Sequence, residues 1–365
     1  MVSQYRADQV GSLLRPAELL QARAAHAEGR LPLDELRKVE DRAILDALQL
    51  QQQVGLDILT DGEFRRGSWL TDMAEAVEGF VPDKVVLEWR GPGGGPEPST
   101  ANVVGAKLRQ RRPLTAHEAD FLRKHSPGPF KMTLPSLSTF AVAGYKPGVT
   151  DKFYPTRAEL LKELIGILRR EVESLANDGV SYIQLDAPYY TFYLDESVQG
   201  RWRERGLDLK QALDESIAAD NACLEGVQGK GIVLGMHLCR GNSKSRWYTE
   251  GGYDPIAEKL FGTLMVDRFL LEYDTERAGG FEPLRFVPKG KTVVLGLIGT
   301  KEPKLESQED LIRRIEQAAR FVPIENLALS PQCGFASVAA GNLISQDDQR
   351  RKLELVVETA RKVWG

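Results

Sequence analysis

The stretch Gly231–Asn242, GIVLGMHLCRGN, decides the fold. It is a short apolar run carrying the β-branched pair Ile232 and Val233, and it gives way to Gly and polar residues. A run of this length between glycines reads as a buried strand, because a helix needs a longer periodic pattern. At its C-terminal end stand His237 and Cys239. In an extended chain residues i and i+2 project to one face, so the two side chains can reach one point.

Working outward, the same unit recurs. Leu209–Leu224 precedes this run with helical spacing, and before that lie SYIQLDAP (Ser181–Pro188) as a strand and Thr156–Gly179 as a helix. Thr156 is positioned to cap that helix, Glu159 to complete a capping box, and Gly179 to end it. Downstream, DPIAEKLFGTL (254–264) reads as helix, DRFLLEYD (267–274) as strand, KTVVLGLIG (291–299) as strand, SQEDLIRRIEQAARFV (307–322) as helix, NLALSPQCG (326–334) as strand and 347–365 as helix. The first half adds strand candidates around Gln4–Val10, at DILTDGE (57–63) and at PFKMTLPS (129–136), with a long helix over Pro32–Val54.

Repeated β–α units favour a parallel sheet with right-handed crossovers. Eight strand candidates predict a closed (β/α)₈ TIM barrel. The alternative, a doubly wound open sheet, lacks a GxGxxG after its first strand. The whole chain is expected to form one barrel domain with an inserted excursion at about 80–127. That insertion holds GPGGGPEPS (Gly91–Ser99) and LRQRRP, and reads as a hairpin plus a short helix at Thr115–His125.

Composition sets limits. The 365 residues are 42% hydrophobic and 27% charged, as in a globular protein with a full core. A net charge of −4 argues against general nucleic-acid binding. No apolar run is long enough to span a bilayer, and the N-terminus, MVSQYRADQVGSLLRP, lacks the apolar core of a secretory signal. Three cysteines do not form a disulfide scaffold, so a reducing cytoplasm is the expected location.

Those scarce cysteines and the four histidines carry the chemistry. His237 and Cys239 end the fifth predicted strand, Glu272 in LLEYDTER ends the sixth, and Cys333 in LSPQCGF ends the eighth. Barrel enzymes place active residues at these strand ends. Two thiols, an imidazole and a carboxylate can close a tetrahedral Zn2+ shell, and with both thiols ionised the site carries about −1. Glu272 is the ligand best suited to yield, since a hard oxygen sits poorly beside two sulfurs; Asp274 is the fallback. Glu63 in DGEFRRG and Asp186 in QLDAPYY also end strands. They suit proton transfer or the holding of an ammonium group, or else ion pairs with Arg65, Arg66 or Arg240. Gly11 and Ser12 in VGSLLRP suit a carboxylate. Tyr189, Tyr190, Phe192 and Tyr193, with Trp69 and Trp247, can wall the site from water or pack the loops. His26, His117, His125 and Cys223 read as non-catalytic.

In combination, the HxC, Glu and PxCG set with DGEFRR resembles the cobalamin-independent methionine synthase family, in its catalytic C-terminal barrel and its short stand-alone members. The likeness runs from RADQVGSLLRP to VETARKVWG. It implies His237, Cys239, Glu272 and Cys333 as zinc ligands, Glu63 and Asp186 on the amino group of homocysteine, and Gly11 and Ser12 on its carboxylate. It also implies methyl transfer from methyltetrahydrofolate to the homocysteine sulfur. Two departures bear on the donor: the chain has no room for a second barrel, and Lys301 in GLIGTKEP stands where the family has a catalytic histidine. Short relatives of this kind also alkylate other thiols, or methylate the carbon of 2-oxo acids with S-adenosylmethionine. A small-molecule acceptor and a methyl donor are thus the expected partners; a homo-oligomer stays open.

Overall fold

The computed structural model describes residues 5–365, without the side chains of residues 71 and 72; Gln4, the start of the first predicted strand, lies outside the described residues. Six parallel strands pair in chain order: β3 (Lys131–Pro135), β4 (Tyr182–Asp186), β5 (Val233–Leu238), β6 (Arg268–Glu272), β7 (Thr292–Ile298) and β8 (Leu327–Pro331). Two shorter extended segments close the ring. The Asp8 N–H donates to Leu329 O at 2.9 Å and the Leu329 N–H to Arg6 O at 2.9 Å, while the Asp57 N–H donates to Ala7 O at 3.1 Å. On the far side, the Leu59 N–H donates to Pro129 O at 3.0 Å and the Lys131 N–H to Leu59 O at 2.9 Å. The result is a closed eight-stranded barrel, although the first two predicted strands shrink to single bridges at Ala7 and Leu59.

The helices follow from their sequence signals. α2 (Leu33–Val54) buries Leu36, Ala43, Ile44, Ala47 and Leu48 on one stripe and ends at Gly55, whose φ of 90° only glycine takes readily. α5 (Arg157–Asn177) opens with the capping box of Thr156 and Glu159. Leu209–Leu224 is helical as expected, and α10 (Gln346–Trp364) is capped by Ser345 with Asp348. A helix at Glu196–Glu204 joins this set without having been anticipated.

Inside the barrel the period of two sorts side chains into layers. Tyr5, Ile58, Tyr182 and Val233 make a floor. Asp8, Lys131 and Gln184 form a polar middle, all essentially without solvent exposure. Asp186 and His237, in register with each other, stand at the top.

The insertion after the second strand is a long antiparallel hairpin, β1 (Val77–Trp89) with β2 (Gly95–Gln110), followed by α4 (Ala116–His125). The hairpin folds over the top of the barrel. Arg90 and Trp247 exchange backbone bonds at 2.8 and 3.1 Å, and Thr150 Oγ1 donates to Val104 O at 2.7 Å, tying it to the loops beyond β5 and β3.

Candidate metal centre and the cavity above it

His237 is the last inward-facing residue of β5, and Cys239 follows one step past its end. Cys333 enters from the turn after β8. One donor atom from each of these three lies within 4.8 Å of the other two, and all three residues are buried. Neither ring nitrogen of His237 meets a hydrogen-bond partner, an expense that a buried imidazole normally avoids. The three groups bias one another's protonation. Cys239 and then His237 hold Cys333 well below the ordinary thiol range against its burial, while Cys333 and burial drive Cys239 well above it. For His237, burial favours the neutral ring, but Cys333, Asp186 and Glu272 outweigh it and raise its pKa. An imidazole without partners beside an acidic thiol and a second thiol is a donor set that fits zinc.

Glu272 stands apart from this triplet. Its Oε2 accepts the Arg240 N–H at 2.7 Å and its Oε1 faces the Arg277 guanidinium at 2.9 Å. Burial alone raises its pKa, yet Lys301, Arg277 and Arg240 together pull it to about 2. Asp274 is bound by the same Arg277. Lys301 is buried, and its Nζ has no hydrogen-bond partner.

Above the triplet opens a cavity of about 1010 Å³. Its inner wall holds Ser12, Glu63, Asp186, His237, Cys239 and Cys333. Glu63 sits at a φ of 59°, a left-handed conformation uncommon outside glycine. Arg15 clamps this corner, donating to Glu63 O and Arg66 O at 2.9 Å each. The Glu63 carboxylate accepts from Thr133 Oγ1 at 3.0 Å, and its Oε2 has no partner. Gly11 backs against it, since a Cβ there would lie 2.7 Å from Glu63 Oε1. Asp186 is raised to about 7, first by burial and further by Glu63 and Cys333, against the pull of His237 and Gln184. The three arginines considered as partners for these carboxylates are engaged elsewhere: Arg65 with Asp41, Arg66 with Glu118, and the Arg240 guanidinium with the Tyr253 hydroxyl and the Gly251 and Glu272 carbonyls.

The outer wall mixes aromatic and cationic groups. Trp69, Tyr189, Phe192, Trp202 and Tyr248 line it, with Arg201 and Arg205, and the hairpin supplies Val85, Leu87 and Trp89. Trp69, Tyr189 and Phe192 were expected here and Trp89, Trp202 and Tyr248 were not, while Tyr193 and Trp247, also expected, do not line it. The expectation for Tyr190 needs correcting: its ring is fully buried and its hydroxyl donates to Asp220 Oδ2 at 2.7 Å, so it does not face the cavity. Asp220 also accepts from Ser136 and Leu137 and thereby braces the turn after β3.

A (β/α)₈ barrel that gathers an imidazole and two thiols at the C-terminal ends of its strands, beneath a covered cavity, defines the class: a barrel with a sulfur-rich centre on its catalytic face. The chain belongs to the cobalamin-independent synthase family, whose catalytic-domain profile matches residues 7–362. It is 35% identical to the uncharacterized protein YxjH of Bacillus subtilis, over 99% of this chain and 95% of that one. The methionine synthase of Pyrococcus abyssi is 24% identical, over 89% of this chain and 84% of its own. The crystal structure of a putative vitamin-B12 independent methionine synthase from Listeria monocytogenes superposes with a TM-score of 0.74 at 27% identity, covering 100% of this chain and 99% of that one. Among the described residues no helix is long and apolar enough to cross a membrane.

Proposed function

We propose that this protein is a zinc-dependent methyltransferase that methylates the sulfur of homocysteine to give methionine. One observation carries the reading: the unpartnered His237, the two thiols, Glu63, Asp186 and Ser12 share the inner wall of a single cavity. Family membership supports the methyl-transfer class.

His237, Cys239 and Cys333 would hold the zinc, and Glu272, held ionised by its basic neighbours, is the candidate for a further ligand. When bound, zinc supplies a thiolate at neutral pH from an acceptor thiol whose free pKa is about 8.5. Glu63 and Asp186 receive the acceptor's ammonium by charge-assisted hydrogen bonds. The turn at Gly11 and Ser12 receives its carboxylate. Lys301 and Arg277 keep Glu272 ionised. The hairpin and the aromatic wall exclude water from the reacting sulfur. In the transfer the thiol's proton passes to solvent, one S–CH₃ bond forms, and the donor's bond to that methyl breaks with its electron pair left on the donor.

The donor occupies the outer part of the cavity. Purified zinc protein assayed with homocysteine and with 2-oxo acids, each against methyltetrahydrofolate and S-adenosylmethionine, tests the reading by product mass spectrometry. Methionine formation is the expected result. Methylation of the 2-oxo acid alone would transfer the site to carbon chemistry, and an unchanged zinc shell by X-ray absorption at saturating homocysteine would overturn the proposal.

A further inference from the structure

Beneath the acceptor site lies a buried polar layer that the reaction above leaves without a task. Asp8 accepts from Lys131 Nζ at 2.8 Å and from the Tyr182 hydroxyl at 3.2 Å. Lys131 Nζ donates also to Gln9 O and, at 2.7 Å, to Gln184 Oε1. The amide nitrogen of Gln184 then donates to Val10 O at 2.7 Å and to Asp186 Oδ1 at 2.7 Å.

The orientation of that amide is dictated by its neighbours. An ammonium offers only donors and a backbone carbonyl only accepts. The amide oxygen therefore faces Lys131 and the nitrogen faces Val10 and Asp186; a flip would set like against like on every side. An ion pair is a costly way to fill a barrel, since apolar side chains of equal volume pack as well or better. Here it keys one amide. That amide grips the end of the Val10–Gly11–Ser12 segment with one hydrogen and the carboxylate of Asp186 with the other. These are the two places given above to the carboxylate and the ammonium of the acceptor.

We propose that Gln184 is a positioning residue for the amino-acid acceptor: keyed by Lys131, it locks one oxygen of Asp186 and turns the other toward the cavity. This rests on the ammonium-binding role proposed for Asp186.

Gln184→Met is the test, because methionine matches the volume without donating, and Lys131 keeps Asp8 and Gln9 as partners; Gln184→Asn is the second variant should the first not fold. The zinc-loaded enzymes are compared with homocysteine and with 4-sulfanylbutanoate, which keeps the thiol and carboxylate and lacks the ammonium. Asp186→Asn and the double variant are run alongside. The expected result is a rise of about tenfold in the homocysteine KM, the size of one lost charge-assisted hydrogen bond, with kcat retained and the deamino thiol changed by less than about twofold. The double variant should be no worse than Asp186→Asn alone. Equal losses for both thiols, or a silent Gln184→Met beside a discriminating Asp186→Asn, would overturn the proposal. Should Asp186→Asn itself fail to discriminate, the ammonium reading falls, and the crystal structure of Gln184→Met decides the rest: an Asp186 carboxylate still in its original rotamer overturns the positioning role.

Discussion

Arg66 and Glu118 form an ion pair from which water is excluded: both side chains are essentially fully buried, and the guanidinium meets both carboxylate oxygens. Arg66 comes from the turn that carries Glu63, and Glu118 from the helix of the insertion. Arg66 also donates to Thr133 Oγ1 at 2.9 Å, and that hydroxyl in turn donates to Glu63. The insertion is thereby wired to the acceptor site. Removing one partner of a buried pair leaves a charge without compensation, at a cost of about 3–5 kcal/mol. Glu118→Ala is expected to lose that much in urea denaturation, and to weaken homocysteine binding in the fraction that remains folded.

The metal reading predicts a sharp asymmetry among the cysteines. Cys223 is buried and lies outside the triplet, whereas Cys239 and Cys333 belong to it. Cys333→Ser replaces a thiolate with a hydroxyl, a far poorer zinc ligand. Plasma emission analysis after gel filtration should find most of the zinc gone, while Cys223→Ser keeps a full complement.

Much of this was legible from spacing. The strands β4 to β8 and most of the helices between them follow runs whose period and caps are local properties of the chain, and the strand-end rule then pointed to His237, Cys239, Glu272 and Cys333, of which the structure gathers the imidazole and the two thiols while Glu272 is held by Arg240 and Arg277. The first two strands were harder to delimit, because each pairs through only one bridge and little of their sequence needs to be extended. Tyr190 misled because it sits among residues that do face the cavity; its burial is set by Asp220, which comes from a helix elsewhere in the chain. Trp89, Trp202 and Tyr248 had no local signal at all, since they come from the hairpin, the helix at Glu196–Glu204 and the loop after β5, and only packing around Phe192 and Tyr248 brings them together. The Lys131–Gln184–Asp186 chain joins separate strands and needs their register to be seen.

His117 offers a pH test. It lies in α4, where burial first, and the positive charges of Arg37, Arg112 and Arg65 against the opposing Glu118, lower its pKa from 6.5 to about 4. The folded protein therefore binds fewer protons here than the unfolded chain between those values. Its contribution to stability is fully present above about pH 6.5 and is lost as pH falls toward 4. The melting temperature of His117→Gln should fall less steeply than that of the wild type across this window, measured as a difference so that other carboxylates cancel. Parallel curves would place the acid sensitivity elsewhere.

Gly11 is expected to tolerate no side chain without loss of acceptor affinity. A Cβ there would press on Glu63 Oε1 at 2.7 Å and on Thr133 Cγ2 at 3.0 Å, so the carboxylate must swing away. Gly11→Ala should raise the homocysteine KM at least about tenfold, in line with the loss of one charge-assisted contact, and leave zinc content intact.

On the proposed reading, the hairpin walls the end of the cavity that takes the methyl donor. Its residues line the outer part of the cavity, while the acceptor groups lie on the barrel strands and their turns. Asp83 and Ala101 face each other in register, so the ribbon beyond them can be removed and closed with an Asn-Gly turn, which matches the twist of antiparallel strands. The cut removes Trp89 and its neighbours from the wall and breaks the backbone exchange between Arg90 and Trp247. The shortened protein should retain zinc and still show the new zinc–sulfur contact with homocysteine by X-ray absorption. Its KM for the methyl donor should rise by about tenfold or more, because a stacked aromatic contact and the enclosure it provides are both lost. An unchanged donor KM would mean that the donor binds without the hairpin, and a loss of the zinc–sulfur signal would mean that the ribbon shapes the inner wall and not only the outer one.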